Sequence, residues 1–149
     1  MYHAFLITAQ FVLSATLVLS AAWSPFPVLG FLFASPGIGL AVWAWLTMGL
    51  RRLRIHPSTT EQTQLITRGP YAFVRHPMYT GLLWFTVALL PAPFAWWRIV
   101  MWFVLLSVLI AKTHEEERAM CGRFPEYTSY RQQVGGLFPK LDRHGESRK

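Results

Sequence analysis

Apolar residues fill four long stretches of this chain, and polar residues gather in two places: between the second and third stretches, and after the fourth. The first stretch, residues 4–23, carries no charge and is about as long as the roughly 20 residues a bilayer crossing needs. No Lys or Arg precedes it and it is longer than the core of a secretion signal, so a retained membrane helix is expected. The second stretch, residues 28–50, holds Pro36, Gly37 and Gly39, which can kink a helix or let another approach closely. Arg51, Arg52 and Arg54 end it. The third, residues 77–90, is short and stops at Pro91-Ala92-Pro93. The fourth starts near Phe94 and runs past Ala111, its helix continuing through Glu117. So tight a connection makes the last two an antiparallel hairpin. Tyr127, Tyr130 and Val134 keep helical spacing, which predicts a short amphipathic helix on the membrane face, broken at Gly135-Gly136. The predicted fold is an all-α integral membrane protein with about four transmembrane helices, a C-terminal helical hairpin and a cytoplasmic tail helix.

Charge orients this bundle. Thirteen of the 14 Lys and Arg residues lie in the loop after the second stretch or in the tail from Lys112, and Arg98 alone lies elsewhere. The positive-inside rule then puts that loop, the tail and, by counting crossings, the N-terminus in the cytoplasm. A multi-pass protein of a bacterial or archaeal inner membrane is expected, with Ser24-Pro25-Phe26-Pro27 as an external turn, residues 57–64 as a polar loop, and a frayed end from Asp142. Composition agrees with a bilayer setting: 53% of the chain is hydrophobic, 14% is charged, and there are 7 Trp and 11 Phe. The net charge of +7 does not point to nucleic acid, because the basic residues flank apolar runs and form no soluble basic domain. With Cys121 as the single cysteine there is no internal disulfide, and neither a zinc pattern nor G-x-G-x-x-G is present.

The chemistry concentrates in residues 65–81, reading LITRGPYAFVRHPMYTG. Gly69-Pro70 marks a turn. The residue before a proline is pushed out of the helical region, and Pro77 suits the first position of a helix. Arg75 and His76 therefore sit on the lip of the third helix, beside Tyr71 and Tyr79, where exposed N–H groups attract anions. Glu115, Glu116 and Glu117 end the fourth helix. The hairpin should bring the two clusters together, so that one side offers donors for an anion and the other carboxylates for a cation. A ligand with an amino-acid end would match. The plainer reading is a basic membrane border with ion pairs at a helix end, although carboxylates at a helix C-terminus oppose its dipole.

Two blocks carry a family resemblance. Gly69-Pro70-Tyr71 with Arg75-His76-Pro77-Met78-Tyr79-Thr80-Gly81 forms the first. Glu116-Glu117-Arg118-Ala119-Met120 with Phe124, Tyr127 and Tyr130 forms the second. Together they resemble the isoprenylcysteine carboxyl methyltransferase family, itself similar to the phospholipid N-methyltransferases. Met120 stands where that pattern has Leu, and Phe124-Pro125-Glu126-Tyr127 is one residue shorter than the family's F-G-x-x-Y. The resemblance implies S-adenosylmethionine as methyl donor. It implies His76 and the helix start at Pro77 for the cofactor's carboxylate, Glu116 or Glu117 for its ammonium, and Tyr71 and Tyr79 around the adenosine. Arg75 and His76 are the implied catalytic residues. The acceptor, a lipophilic small molecule or membrane lipid, is expected to enter between helices along Leu82, Leu83, Trp84 and Trp102. The implied division is an N-terminal helix pair (1–50), a methyltransferase-like region (51–141) and a flexible tail (142–149). Two other classes stay open: a membrane reductase of the sterol-reductase type using a nicotinamide, and a scaffold without catalysis.

Overall fold

A computed structural model describes residues 2–23, 28–49 and 65–140. The turn at 24–27, the loop at 57–64 and the end from Asp142 lie outside the described residues. Five α-helices follow in order: α1 Tyr2–Leu19, α2 Val28–Met48, α3 Pro77–Ala88, α4 Trp96–Arg123 and α5 Tyr127–Gln133. A 3-10 turn, Gly69–Ala72, precedes α3. No strand is present among the described residues; a single parallel bridge joins Val74 to Gly135.

α1, α2 and α4 are long and apolar enough to cross a membrane. α3, at 12 residues, spans about 18 Å at 1.5 Å per residue and falls short of that length. α4 has 28 residues, about 42 Å, so its last turns extend beyond a hydrocarbon core of about 30 Å. The exposed surface suits lipid. Phe5, Phe11, Leu29, Leu32, Phe33 and Trp96 all point outward, a density of exposed large apolar side chains that water would not tolerate.

Neighbouring helices alternate in direction. α1 runs against α4: Lys112 Nζ donates to Gln10 Oε1 at 2.8 Å near one end, and Arg98 Nη2 donates to Leu17 O at 3.2 Å near the other. α2 runs against α3, with Trp84 Nε1 donating to Phe33 O at 2.8 Å. Small residues permit this contact. A Cβ added to Gly81 would sit 2.5 Å from Gly37 O, so the two backbones touch there. α2 passes through Pro36 without ending. α3 and α4 form the expected hairpin, with Trp102 Nε1 donating to Leu83 O at 3.2 Å. Leu17, Leu83, Leu105, Leu109 and Leu137 make the core, with Leu82 and Trp102 packed against it. Arg98 is fully buried at the α3–α4 turn, where it donates to Leu90 O at 3.3 Å and Pro93 O at 2.6 Å.

Candidate active site

The site is built where α3 begins, as the His76-Pro77 pair predicts. His76 precedes the first helical residue, Pro77, and Thr80 N donates to His76 O at 3.0 Å to close the first turn. Opposite lies the end of α4. Arg75 donates to Glu117 Oε1 from Nε at 2.9 Å and from Nη2 at 2.6 Å. The two clusters therefore meet in direct contact.

The tail completes the enclosure. Arg75 N donates to Gly135 O at 2.8 Å and His76 N to Gly136 O at 3.2 Å. Arg75 Nη1 donates to Arg131 O at 2.9 Å and also to Val134 O. Thr80 Oγ1 donates to Leu137 O at 2.6 Å. Residues 134–137 thus lie along the start of α3 as a strap. Gly135 is required there, since an added Cβ would lie 1.8 Å from Phe138 O. α5 tucks against the 3-10 turn: Tyr127 is buried, and Tyr130 Oη donates to Tyr71 O at 2.5 Å. Tyr71 is itself buried in that turn. Burial raises its phenol's pKa, and raises that of Tyr130 as well. Tyr127 is pushed up to about 12, by burial first and by the Glu117 carboxylate second.

The two glutamates have different surroundings. Glu117 is 7% exposed and fully engaged: Arg75 and His76 Nε2, at 3.2 Å, share its Oε1, and Arg131 Nε lies 3.2 Å from Oε2. Glu116 is 42% exposed. Its Oε1 accepts from Tyr79 Oη at 2.6 Å, and its Oε2 lies 3.5 Å from His76 Nδ1. The His76 imidazole thus faces a carboxylate from each ring nitrogen and stacks on Tyr79, with centroids 5.7 Å apart and planes 8° off parallel. Lys112 Nζ sits 4.9 Å from the centroid of the same Tyr79 ring. Glu115 pairs with Arg118 at 3.0 Å.

Tyr71, Arg75, His76, Pro77, Tyr79, Glu116 and Glu117 lie at this end of the bundle, and Arg75, His76, Tyr79, Glu116 and Glu117 form one connected cluster; Leu82, Leu83, Trp84 and Trp102 lie along the helices instead. Sequence reasoning missed Arg131, Thr80 and the Gln10–Lys112 pair. Gln10 carried a signal that went unused, because a lone amide within an apolar membrane helix asks for a partner. A shallow apolar groove between α1 and α4, lined by Leu6, Phe103, Val104, Val108 and Ala111, shares no residue with the cluster. Among the described residues no group of three or more His, Cys, Asp or Glu side chains could hold a metal ion.

Residues 29–122 match the isoprenylcysteine carboxyl methyltransferase (ICMT) family, and the chain belongs to that family. It is similar to the cobalt-zinc-cadmium resistance protein CzcN of Cupriavidus metallidurans, 26% identical over 149 residues, covering 95% of this chain and 65% of that protein. It is also similar to the nickel-cobalt-cadmium resistance protein NccN of Alcaligenes xylosoxydans xylosoxydans, 25% identical over 70% of this chain and 49% of that protein. An uncharacterized protein of Schizosaccharomyces pombe is 31% identical over 50% of this chain and 23% of its own length. The chain thus spans less than two thirds of each of these curated relatives. No solved structure matches it at comparable significance.

Proposed function

We propose that this protein is an integral membrane methyltransferase that uses S-adenosylmethionine and acts on a lipophilic acceptor, with the Arg75–Glu117 end of the bundle in the cytoplasm of a bacterial or archaeal cell. The reading is supported above all by a half-exposed carboxylate, Glu116, held beside an imidazole and a helix start in a chain of a methyltransferase family. That donor set fits an amino-acid end. Glu116 would hold the ammonium, and His76 with the first turn of α3 the carboxylate.

Methyl transfer is an in-line displacement, and the bound cofactor supplies a methyl group already activated on a sulfonium. The protein's work is then alignment and exclusion of water. Tyr79 fixes Glu116 by donating to Oε1 and fixes His76 by stacking. Glu117 holds Arg75 and Arg131, which clamp the strap across the start of α3. Arg75 is on this reading a positioning residue, because its donors go to Glu117 and to tail carbonyls. A carboxylate or thiolate acceptor needs no base.

Calorimetry of the detergent-purified protein with S-adenosylmethionine, S-adenosylhomocysteine and reduced nicotinamides tests the reading. The first two should bind, and more weakly to Glu116→Gln. Binding of a reduced nicotinamide in their place would turn the assignment to a reductase, and binding of none would remove the enzymatic reading.

A further inference from the structure

Lys112 and Glu116 stand one turn apart on α4, the spacing at which a lysine and a glutamate ordinarily pair. The two are not in ion-pair contact. Glu116 Oε1 accepts from Tyr79 Oη at 2.6 Å and Oε2 lies 3.5 Å from His76 Nδ1, while Lys112 Nζ donates to Gln10 Oε1 at 2.8 Å. The same ammonium lies 4.9 Å from the centroid of the Tyr79 ring. The Lys112 charge still acts on the Glu116 carboxylate across that turn. A lysine head rides on a flexible four-carbon stem, so its place is set by its partner, and here the partner is an amide on another helix. Such an amide within an apolar membrane helix ordinarily marks a function. A carboxylate can take a ligand's ammonium only through an oxygen that an internal ammonium has not already taken.

We infer that Gln10 is a positioning residue of the cofactor site: it holds the Lys112 ammonium off Glu116 and so keeps that carboxylate open to the ammonium of the cofactor's amino-acid end. It has this role only where Glu116 binds that ammonium, as the methyltransferase reading has it. One lysine can act on Glu116 in two ways. At a distance its charge supports the ionised carboxylate; in contact it would occupy it. Holding the head away also lessens its repulsion of a second ammonium. Gln10 lies outside the residues matched by the family, so α1 adds a residue to a site otherwise built by α3, α4 and the tail. Gln10 acts through Lys112.

The test is a double-mutant cycle on the full chain in detergent, read by calorimetry with S-adenosylhomocysteine and with its desamino analogue, which keeps the carboxylate and lacks the ammonium. Leu suits an apolar membrane helix, so Gln10→Leu leaves α1 able to insert. Gln10→Leu should weaken S-adenosylhomocysteine binding about threefold to tenfold, the factor expected where the freed lysine occupies Glu116 for roughly two thirds to nine tenths of the time. The desamino analogue should bind Gln10→Leu as it binds the parent. With Lys112→Met in place, Gln10→Leu should cost no further affinity, because the competitor has gone. Gln10→Glu, which ties the ammonium again, should recover affinity lost in Gln10→Leu. An amide that merely braces α1 against α4 would weaken both ligands, with or without Lys112, and that outcome overturns the inference. So does a Gln10→Leu variant that binds S-adenosylhomocysteine as the parent does. A parent that binds neither ligand would instead sink the methyltransferase reading, and the role of Gln10 with it.

Discussion

Replacing Arg98 with Met should cost this protein much of its stability. Arg98 is wholly buried and its guanidinium reaches three carbonyls: Pro93 O at 2.6 Å, Leu17 O at 3.2 Å and Leu90 O at 3.3 Å. Leu90 and Pro93 follow the last turn of α3, where carbonyls have no partner within the helix. Two effects compete. Met is similar in length and removes a buried charge whose Nε has no hydrogen-bond partner among the described residues, which favours the variant. Against that, the variant strands the carbonyls of Leu90 and Pro93 inside the α3–α4 turn, while Leu17 O keeps Ser20 Oγ at 3.1 Å. The Pro93 contact is short enough to be worth about 2 kcal/mol, and the longer pair about 1 kcal/mol together. Loss of the three should win, for a net destabilisation of roughly 2–3 kcal/mol, or about 4–12 °C in Tm for a chain of this size. Cys121, the single cysteine, supplies the assay: its reaction with a fluorogenic maleimide during a thermal ramp in detergent. Arg98→Lys, with one ammonium for three carbonyls, should fall between. A Met variant that melts within about 2 °C of the parent, or above it, would show that the buried charge costs as much as its bonds return.

The two glutamates should separate by readout. Glu116→Gln should weaken S-adenosylmethionine binding about tenfold, while Glu117→Gln should free the strap and raise proteolysis after residue 130, as seen by mass spectrometry. Gly81→Ala should lower Tm in the maleimide assay, since its Cβ would meet Gly37 O at 2.5 Å, whereas Gly39→Ala, with nothing within 4 Å, should not. Tyr127 gives a pH window. Its folded pKa is raised to about 12 against about 10 unfolded, so its contribution holds below about pH 10 and is lost as pH rises to about 12. Ultraviolet titration of tyrosinate, compared with Tyr127→Phe, should show α5 loosening in that interval and not in acid.

The backbone plan was legible because it depends on short-range chemistry. Pro77 fixes where α3 starts, Pro91-Ala92-Pro93 fixes where it must turn, and apolar length separates α4 from everything soluble. Proximity of the Arg75 and Glu117 clusters followed from that plan. Which atoms meet did not follow. Glu115 pairs with Arg118, while Lys112 reaches Gln10, 102 residues away, because α1 packs along α4. Arg75 was read as open to an anion, yet the tail's carbonyls take its donors, a choice made by a strap whose docking depends on Gly135. Such pairings depend on packing between distant segments, which no local pattern encodes.

The shortness of α3 bears on how the chain is built. A 12-residue helix is a poor candidate to settle in lipid alone, and its link to α4 is tight enough for the two to enter as one hairpin. α1 packs chiefly on α4, and α2 chiefly on α3. Neither early helix has its partner until the second half leaves the ribosome. The first half of the chain should therefore insert as separate helices, and the segment that carries the candidate site is also the one that joins them.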